Sequence, residues 1–466
     1  MKHISLALLM TLIVSIIHAQ TYITHVSVVD VINMKINTDQ TVIISNKKIA
    51  EVGKSSSIYI PANATVIDGT GKYLIPGLVD AHVHFFQSGG LYTRPDFFDL
   101  RKYHSYDKEI AWAHEHFEDL LRRYLAAGIT TVIDPGSTAN FLMQRDSFKN
   151  KIYAPTIYMT GPLLTTYEPD VFKGLNNDEP FYFMQTEDDA RKYVDKELQY
   201  KPDFIKIWYI VSRNVDSSAK ASSHLVKAVI DEAHKHNLKV AVHATQKTTA
   251  QLAVEDGADY LVHSVDDKII DNDFIQLLKE HHVVLCPTLQ VMDNYIKTFS
   301  EQYQPTDADK KFANLEALNS LSDIQHIDDT AVVNAMHKLG ERIATRYASA
   351  DSIMAVNLKK LVNAGVPIAT GTDAGNIGTQ HASSFFTEIE LMQHAGMSVP
   401  EILQASTINC AKALGKENIF GSIEKGKLAN MLLLSANPLE SLDNWQKTEL
   451  IINKGVALKP NDIMKQ

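Results

Sequence analysis

The 466-residue chain is 45% hydrophobic and 21% charged, proportions that suit a large globular protein and exclude a disordered or fibrous one. Its net charge of −10 argues against nucleic acid or an anionic membrane surface as a partner, since both demand clustered Lys and Arg. The two cysteines, Cys286 and Cys410, lie in apolar or helical stretches, and so few exclude a disulfide framework.

In chain order, Lys2 precedes an apolar run from Ile4 to Ile17, and an acceptable small-residue cleavage site follows before Gln20. Residues 1–19 are expected to be a removable secretory signal, giving an exported protein, periplasmic or secreted. The run is shorter than the roughly 20 apolar residues of a spanning helix. No cysteine stands at the cleavage point to take a lipid, and no later stretch is apolar enough to span a bilayer, so no membrane partner is expected.

From Thr21 to Lys72 short strands alternate with turn residues such as Gly53, Asn63, Gly69 and Gly71, and Gly421–Lys459 reads the same way. Neither end holds a core alone. Residues 20–73 and 418–466 are therefore expected to pair into one small β-sandwich. Between them, residues 74–417 switch repeatedly from short apolar runs to amphipathic stretches, the pattern of βα units. The expected strands are Leu74–His84, Ile129–Asp134, Thr156–Gly161, Phe204–Ile210, Lys239–His243, Tyr260–Ser264, Val283–Pro287 and Val366–Asp373. Helices are expected at Glu109–Ala127, Ser223–Asn237 and Ser352–Ala364, with Gly128 and Gly365 as C-terminal caps. Eight repeats predict an α/β fold, a (β/α)₈ TIM barrel. The segment at about 289–350 is too long for a loop, is rich in helix formers, and reads as a helical lid.

The chemistry begins at PGLVDAHVH, Pro76 to His84, where His82 and His84 lie two apart and project to one side at a strand's C-terminal end. Two imidazoles inside an apolar strand are costly unless a metal or other partner satisfies their nitrogens. Four further strand ends carry potential ligands: Lys206 in DFIKIWY, His243 in KVAVHATQ, His263 in ADYLVHS and Asp373 in GTDAG. Five strand ends carrying these residues in this order favour a metal centre over structural histidines. For Lys206 the alternative is a salt bridge to a neighbouring carboxylate such as Asp203.

With these motifs, and with ASTINCAKALG (Ala405–Gly415) and GSIEKGKLANMLLL (Gly421–Leu434), nearly the whole chain beyond residue 19 resembles the amidohydrolase superfamily, in its imidazolonepropionase-like and prolidase-like branch. Asn430 stands where that family usually has an aspartate. The resemblance implies two divalent ions, zinc by default, with His82, His84 and Asp373 holding the first, His243 and His263 the second, and a carboxylated Lys206 bridging both. Such a pair supplies hydroxide at neutral pH, while Asp373 carries the proton to the leaving nitrogen. The implied reaction is hydrolysis of an amide or peptide-like bond in a small molecule: a dipeptide, an N-acyl amino acid or a cyclic amide. Arg213 and His381 are candidate substrate-binding residues, the first for a carboxylate. A mononuclear deaminase would share four of the ligands but needs a carboxylic acid where Gln246 stands. A phosphotriesterase or lactonase would share the whole centre. An inactive binding protein would normally have lost a ligand, and whether the chain forms a homo-oligomer is left open.

Overall fold

The computed structural model describes residues 20–211 and 213–465; the expected signal segment lies outside the described residues. Thr21–Asp30 pairs antiparallel with Lys35–Ser45, which pairs with Lys48–Lys54. Thr21–Asp30 also runs parallel to Thr65–Asp68 and Tyr73–Pro76. Tyr73–Pro76 then receives the C-terminal Met431–Leu434, followed by Thr448–Asn453 and Val456–Leu458. The two ends of the chain thus share one eight-stranded sheet, and side chains from both, among them Ile23, Val42, Leu74, Met431 and Ile452, form a core of their own.

The expected barrel strand Leu74–His84 divides at Gly77. Tyr73–Pro76 belongs to the terminal sheet, and the first barrel strand is Leu78–Asp80. Glycine is required at the crossing, because a Cβ there would stand 2.0 Å from Thr130 Oγ1. Leu78–Asp80, Ile129–Asp134 and Thr156–Met159 run parallel, as do Ile205–Trp208, Val240–His243, Tyr260–Val262 and Val284–Cys286. The Asp203 amide donates to the Met159 carbonyl at 2.9 Å and joins the two sets.

The eighth segment, expected as a strand at Val366–Asp373, makes only isolated bridges, Leu285 to Ile368 and Val83 to Ala374. Its amides are diverted: Thr370 donates to the Ala405 carbonyl, and Thr372 to the Asp80 carboxylate. Even so, Ala369 donates to Leu285 at 2.8 Å and Ala81 to Thr370 at 2.9 Å, so backbone bonds link this segment to strands on both sides. Leu163–Thr165 and Phe181–Phe183 extend the sheet beside Ile205–Trp208 and were not apparent in the sequence pattern.

Small and medium side chains fill the interior, including Val79, Ile133, Ala241, Val262, Val284 and Ala369. Helices pack outside: Tyr106–Ala126 buries Phe117, Leu120, Leu121 and Tyr124, the i, i+3, i+4, i+7 stripe of an amphipathic helix. Gly128 and Gly365 take φ of +86° and +76°, the left-handed conformation of helix caps. The insertion is helical, with Val291–Phe299, Asp307–Phe312, Leu315–Ser320 and Thr330–Asn363. The expected lid and the expected helix Ser352–Ala364 merge in the last of these, a single 34-residue helix. Among the described residues no helix is long and apolar enough to cross a membrane.

Candidate metal centre

Period-two alternation aims most of the candidate ligands. In Ile205–Trp208, Ile205 and Ile207 pack outward against the helix layer, which leaves Lys206 and Trp208 facing the barrel cavity. In Val240–His243, Ala241 packs inside and His243 reaches the same cavity. Alternation fails at the next strand: Tyr260 and Val262 face inward, so His263 should turn outward. Its φ of +77° re-aims it into the cavity, and Asp373 is held similarly at +60°. Left-handed residues other than glycine cost about 1–3 kcal/mol each and cluster where function requires them. Here they are clamped, the His263 amide on the Cys286 carbonyl at 2.8 Å and the Asp373 amide on the His82 carbonyl at 2.7 Å.

His82, His84, Lys206, His243, His263 and Asp373 all line one cavity of about 660 Å³. His82 Nε2 stands 3.1 Å from His84 Nε2 and 3.2 Å from Asp373 Oδ1, and His84 Nε2 is 3.1 Å from the same oxygen. That oxygen is buried and makes no hydrogen bond. A buried carboxylate oxygen with only two imidazole nitrogens beside it is costly unless one ring is protonated or a cation sits among the three atoms. Ligand atoms around one tetrahedral zinc lie roughly 3.3 Å apart for bonds of about 2.0–2.1 Å, so this trio fits a divalent metal. The His243 and His263 rings are 4.2 Å apart, and the His82 and His263 rings 5.0 Å. His263 Nδ1 is paired with Thr288 Oγ1 at 2.7 Å, and His84 Nδ1 donates to the Gly136 carbonyl at 2.7 Å. These partners leave the Nε2 atoms of both rings for a metal.

The charge balance agrees for three of the four histidines. Burial, and after it neighbouring cations, holds His82, His243 and His263 well below the ordinary histidine value, in the neutral form that ligates metals. Burial pulls His84 in the same direction, but the Asp134 and Asp373 carboxylates win and raise it to about 9. Burial lowers the Lys206 ammonium to about 7. The salt-bridge alternative for Lys206 fails, because the Asp203 carboxylate pairs with Arg145 at 2.8 Å and takes the Met159 amide.

The two candidate substrate residues lie apart from the ligands. Arg213 is exposed and is absent from the cavity lining. His381 is buried beside the centre: its ring stacks on Phe85, and its nitrogens meet the Tyr124 hydroxyl and the Gln87 carbonyl. With both nitrogens occupied and its pKa lowered to about 4 by burial, it is a packing residue.

Sequence reasoning missed the acids and amides that hold the ligands. Asp134 accepts the Phe85 and Gly136 amides and stands 3.7 Å from His84 Nδ1. Asp80 accepts the Thr372 amide and hydroxyl, and burial raises it to about 7. Asp96 grips Arg94 at two points, and Arg94 and Tyr295 both donate to Asn376, whose amide donates to the Asp373 carbonyl. The available signal was spacing: Asp80 lies two residues before His82, and Asp134 ends its strand.

Comparisons with known proteins bear on the fold and the family. The chain is 37% identical to the imidazolonepropionase of Geobacillus kaustophilus (strain HTA426) over 82 residues, 17% of this chain and 19% of that protein, so it spans under a quarter of that relative's length in the match. Among solved structures it is similar to a Xaa-Pro dipeptidase with bound methionine in the active site, with a TM-score of 0.69 and 23% identity, covering 95% of this chain and 100% of that one. It is also similar to phenylurea hydrolase B, with a TM-score of 0.70 and 21% identity, covering 96% and 98%. Both likenesses show a shared fold of a barrel with a β-sandwich. The pattern of the amidohydrolase family matches residues 73–457, and the chain belongs to that family.

Proposed function

We propose that the protein is an exported, metal-dependent hydrolase of carbon–nitrogen bonds acting on dipeptides or N-acyl amino acids. The observation that carries this reading is the meeting of six side chains from five strand ends in one cavity, with two imidazole nitrogens within 3.2 Å of one buried carboxylate oxygen. His82, His84 and Asp373 would hold one divalent ion, His243 and His263 a second, with zinc favoured by the imidazole and oxygen donors. When bound, such ions generate a hydroxide nucleophile from water at neutral pH and polarise the scissile carbonyl.

The chain's own residues do the rest. Asp373 accepts the proton released as the nucleophile forms and returns it to the departing nitrogen, so the amine leaves neutral. The backbone clamp on Asp373 and the Asn376 contact hold it for both transfers. Lys206, its amine lowered to about 7, would be partly neutral at physiological pH and could add to carbon dioxide, forming a C–N bond as one C–O π bond opens and one proton leaves; the carbamate would supply an anionic oxygen donor to the centre. Leu163, Phe181, Trp208, Ile210 and Val211 form an apolar wall for the acyl half.

The test is an amine-release assay over a library of dipeptides and N-acyl amino acids, with metal content measured in parallel. Turnover should require about two ions per chain, and protein that is metal-free yet fully active would sink the reading. A ¹³C-enriched bicarbonate sample should show a carbamate carbon that Lys206→Met lacks. Export predicts a mature protein that begins at Gln20.

A further inference from the structure

Beyond the ligand cavity lies a second one of about 410 Å³, and the two share Phe97, Asp266, Met292 and Arg346. Its remaining walls come from the 34-residue helix Thr330–Asn363: Leu339, Arg342, Ile343, Tyr347 and Ala350. Apolar side chains dominate, but Arg342 and Arg346 stand one turn apart on the same helix face. Like charges at this spacing repel each other. One acid faces them, Asp266, which takes a single bond from Arg346 at 3.3 Å. Within the lining of this chamber two guanidiniums, both reaching solvent, stand against the one carboxylate of Asp266, which leaves a surplus positive charge beside it.

Among the described residues the main cavity offers no other uncommitted cation. Arg94 is bound at two points by Asp96 and by Asn376 besides, and Lys206 belongs to the ligand set. We propose that this second chamber is a subsite for the carboxylate-bearing, apolar end of the substrate, with Arg342 and Arg346 as its specificity residues. The proposal rests on the carbon–nitrogen hydrolase reading and gives it a substrate class: N-acyl or N-aminoacyl derivatives of apolar amino acids. Guanidinium suits the task, because its planar fork meets a carboxylate at two points while Met292, Ile343 and Tyr347 take the apolar body.

The probes are 3-phenylpropanoate and 3-phenylpropanol, which share an apolar body, differ in charge and contain no hydrolysable bond. Binding to the metal-loaded protein is measured by calorimetry for wild type, for the Arg342→Gln/Arg346→Gln double variant and for Ile343→Trp. The acid should bind wild type about tenfold more tightly than the alcohol. The double variant should lose that preference while binding the alcohol unchanged, and Ile343→Trp should exclude both probes. Equal affinity of acid and alcohol for wild type overturns the proposal. A preference that survives in the double variant does so too, since the carboxylate would then be held at the metals. Loss of hydrolysis across the amine-release library would count against the functional reading without moving any of these affinities.

Discussion

Replacing Lys206 with Met tests the electrostatic reading of the centre in metal-free protein. Methionine is one heavy atom shorter and removes the charge, and the small space it frees merges with the cavity that Lys206 already lines. Burial lowers the lysine from its ordinary 10.5 to about 7, so between these limits the unfolded chain holds a proton at this site that the folded chain releases. Wild-type stability therefore rises with pH through that window as the penalty fades, and the variant escapes the penalty. The linkage relation gives an advantage for Lys206→Met of about 4 kcal/mol at pH 7 and about 2 kcal/mol at pH 9. A chain of 466 residues unfolds with an entropy of roughly 1 kcal/mol/K, at about 2.1 cal/mol/K per residue. The melting temperature of the variant should exceed wild type by about 4 °C at pH 7 and about 2 °C at pH 9. Scanning calorimetry with a chelator and carbon dioxide-depleted buffer reads the difference directly. A variant that melts below wild type at pH 7, or an advantage that does not shrink by pH 9, would refute the claim that Lys206 is a desolvated amine.

Three other substitutions probe separate parts of the centre. Asp373→Asn should cut kcat roughly 10²–10⁴-fold with an unchanged circular dichroism spectrum, and retained turnover would remove Asp373 as the proton carrier. Asp134→Asn should weaken metal binding about tenfold, the low end of the range for such supports because the Gly136 carbonyl still fixes the His84 ring; metal titration against a chromophoric chelator reads it, and unchanged affinity contradicts the role. Gly371→Ala would place a Cβ 2.5 Å from Cys286 Sγ and 2.7 Å from the His82 amide, so it should cost about 1–3 kcal/mol and lower the metal content of purified protein, and a variant with wild-type melting and loading would show that the close approach does not matter.

Where the sequence was a good guide and where it was not follows from which interactions set each element. Ile129–Asp134 forms at its expected bounds because six successive buried residues and a glycine cap upstream leave the local pattern no competitor. Lys206 and His243 were legible because they sit within strands, where a period of two decides direction. Leu74–His84 reads as one apolar run, and only tertiary pairing with Met431–Leu434 shows that its first four residues leave the barrel. Val366–Asp373 has strand-like composition, but the Asp80 carboxylate and the Ala405 carbonyl capture its amides, contacts no local window contains. His381 has the same weakness as a sequence signal: near GTDAG it resembles a substrate contact, while the Tyr124 hydroxyl and the Gln87 carbonyl, both remote in sequence, make it a filler. The ligands on His263 and Asp373 carry the argument further, since alternation alone would aim His263 away from the cavity. By accepting a left-handed backbone at His263 and Asp373, each clamped by a remote carbonyl, the chain has traded stability for the convergence of its ligands. That strain is physical support for a metal centre that does not depend on any resemblance.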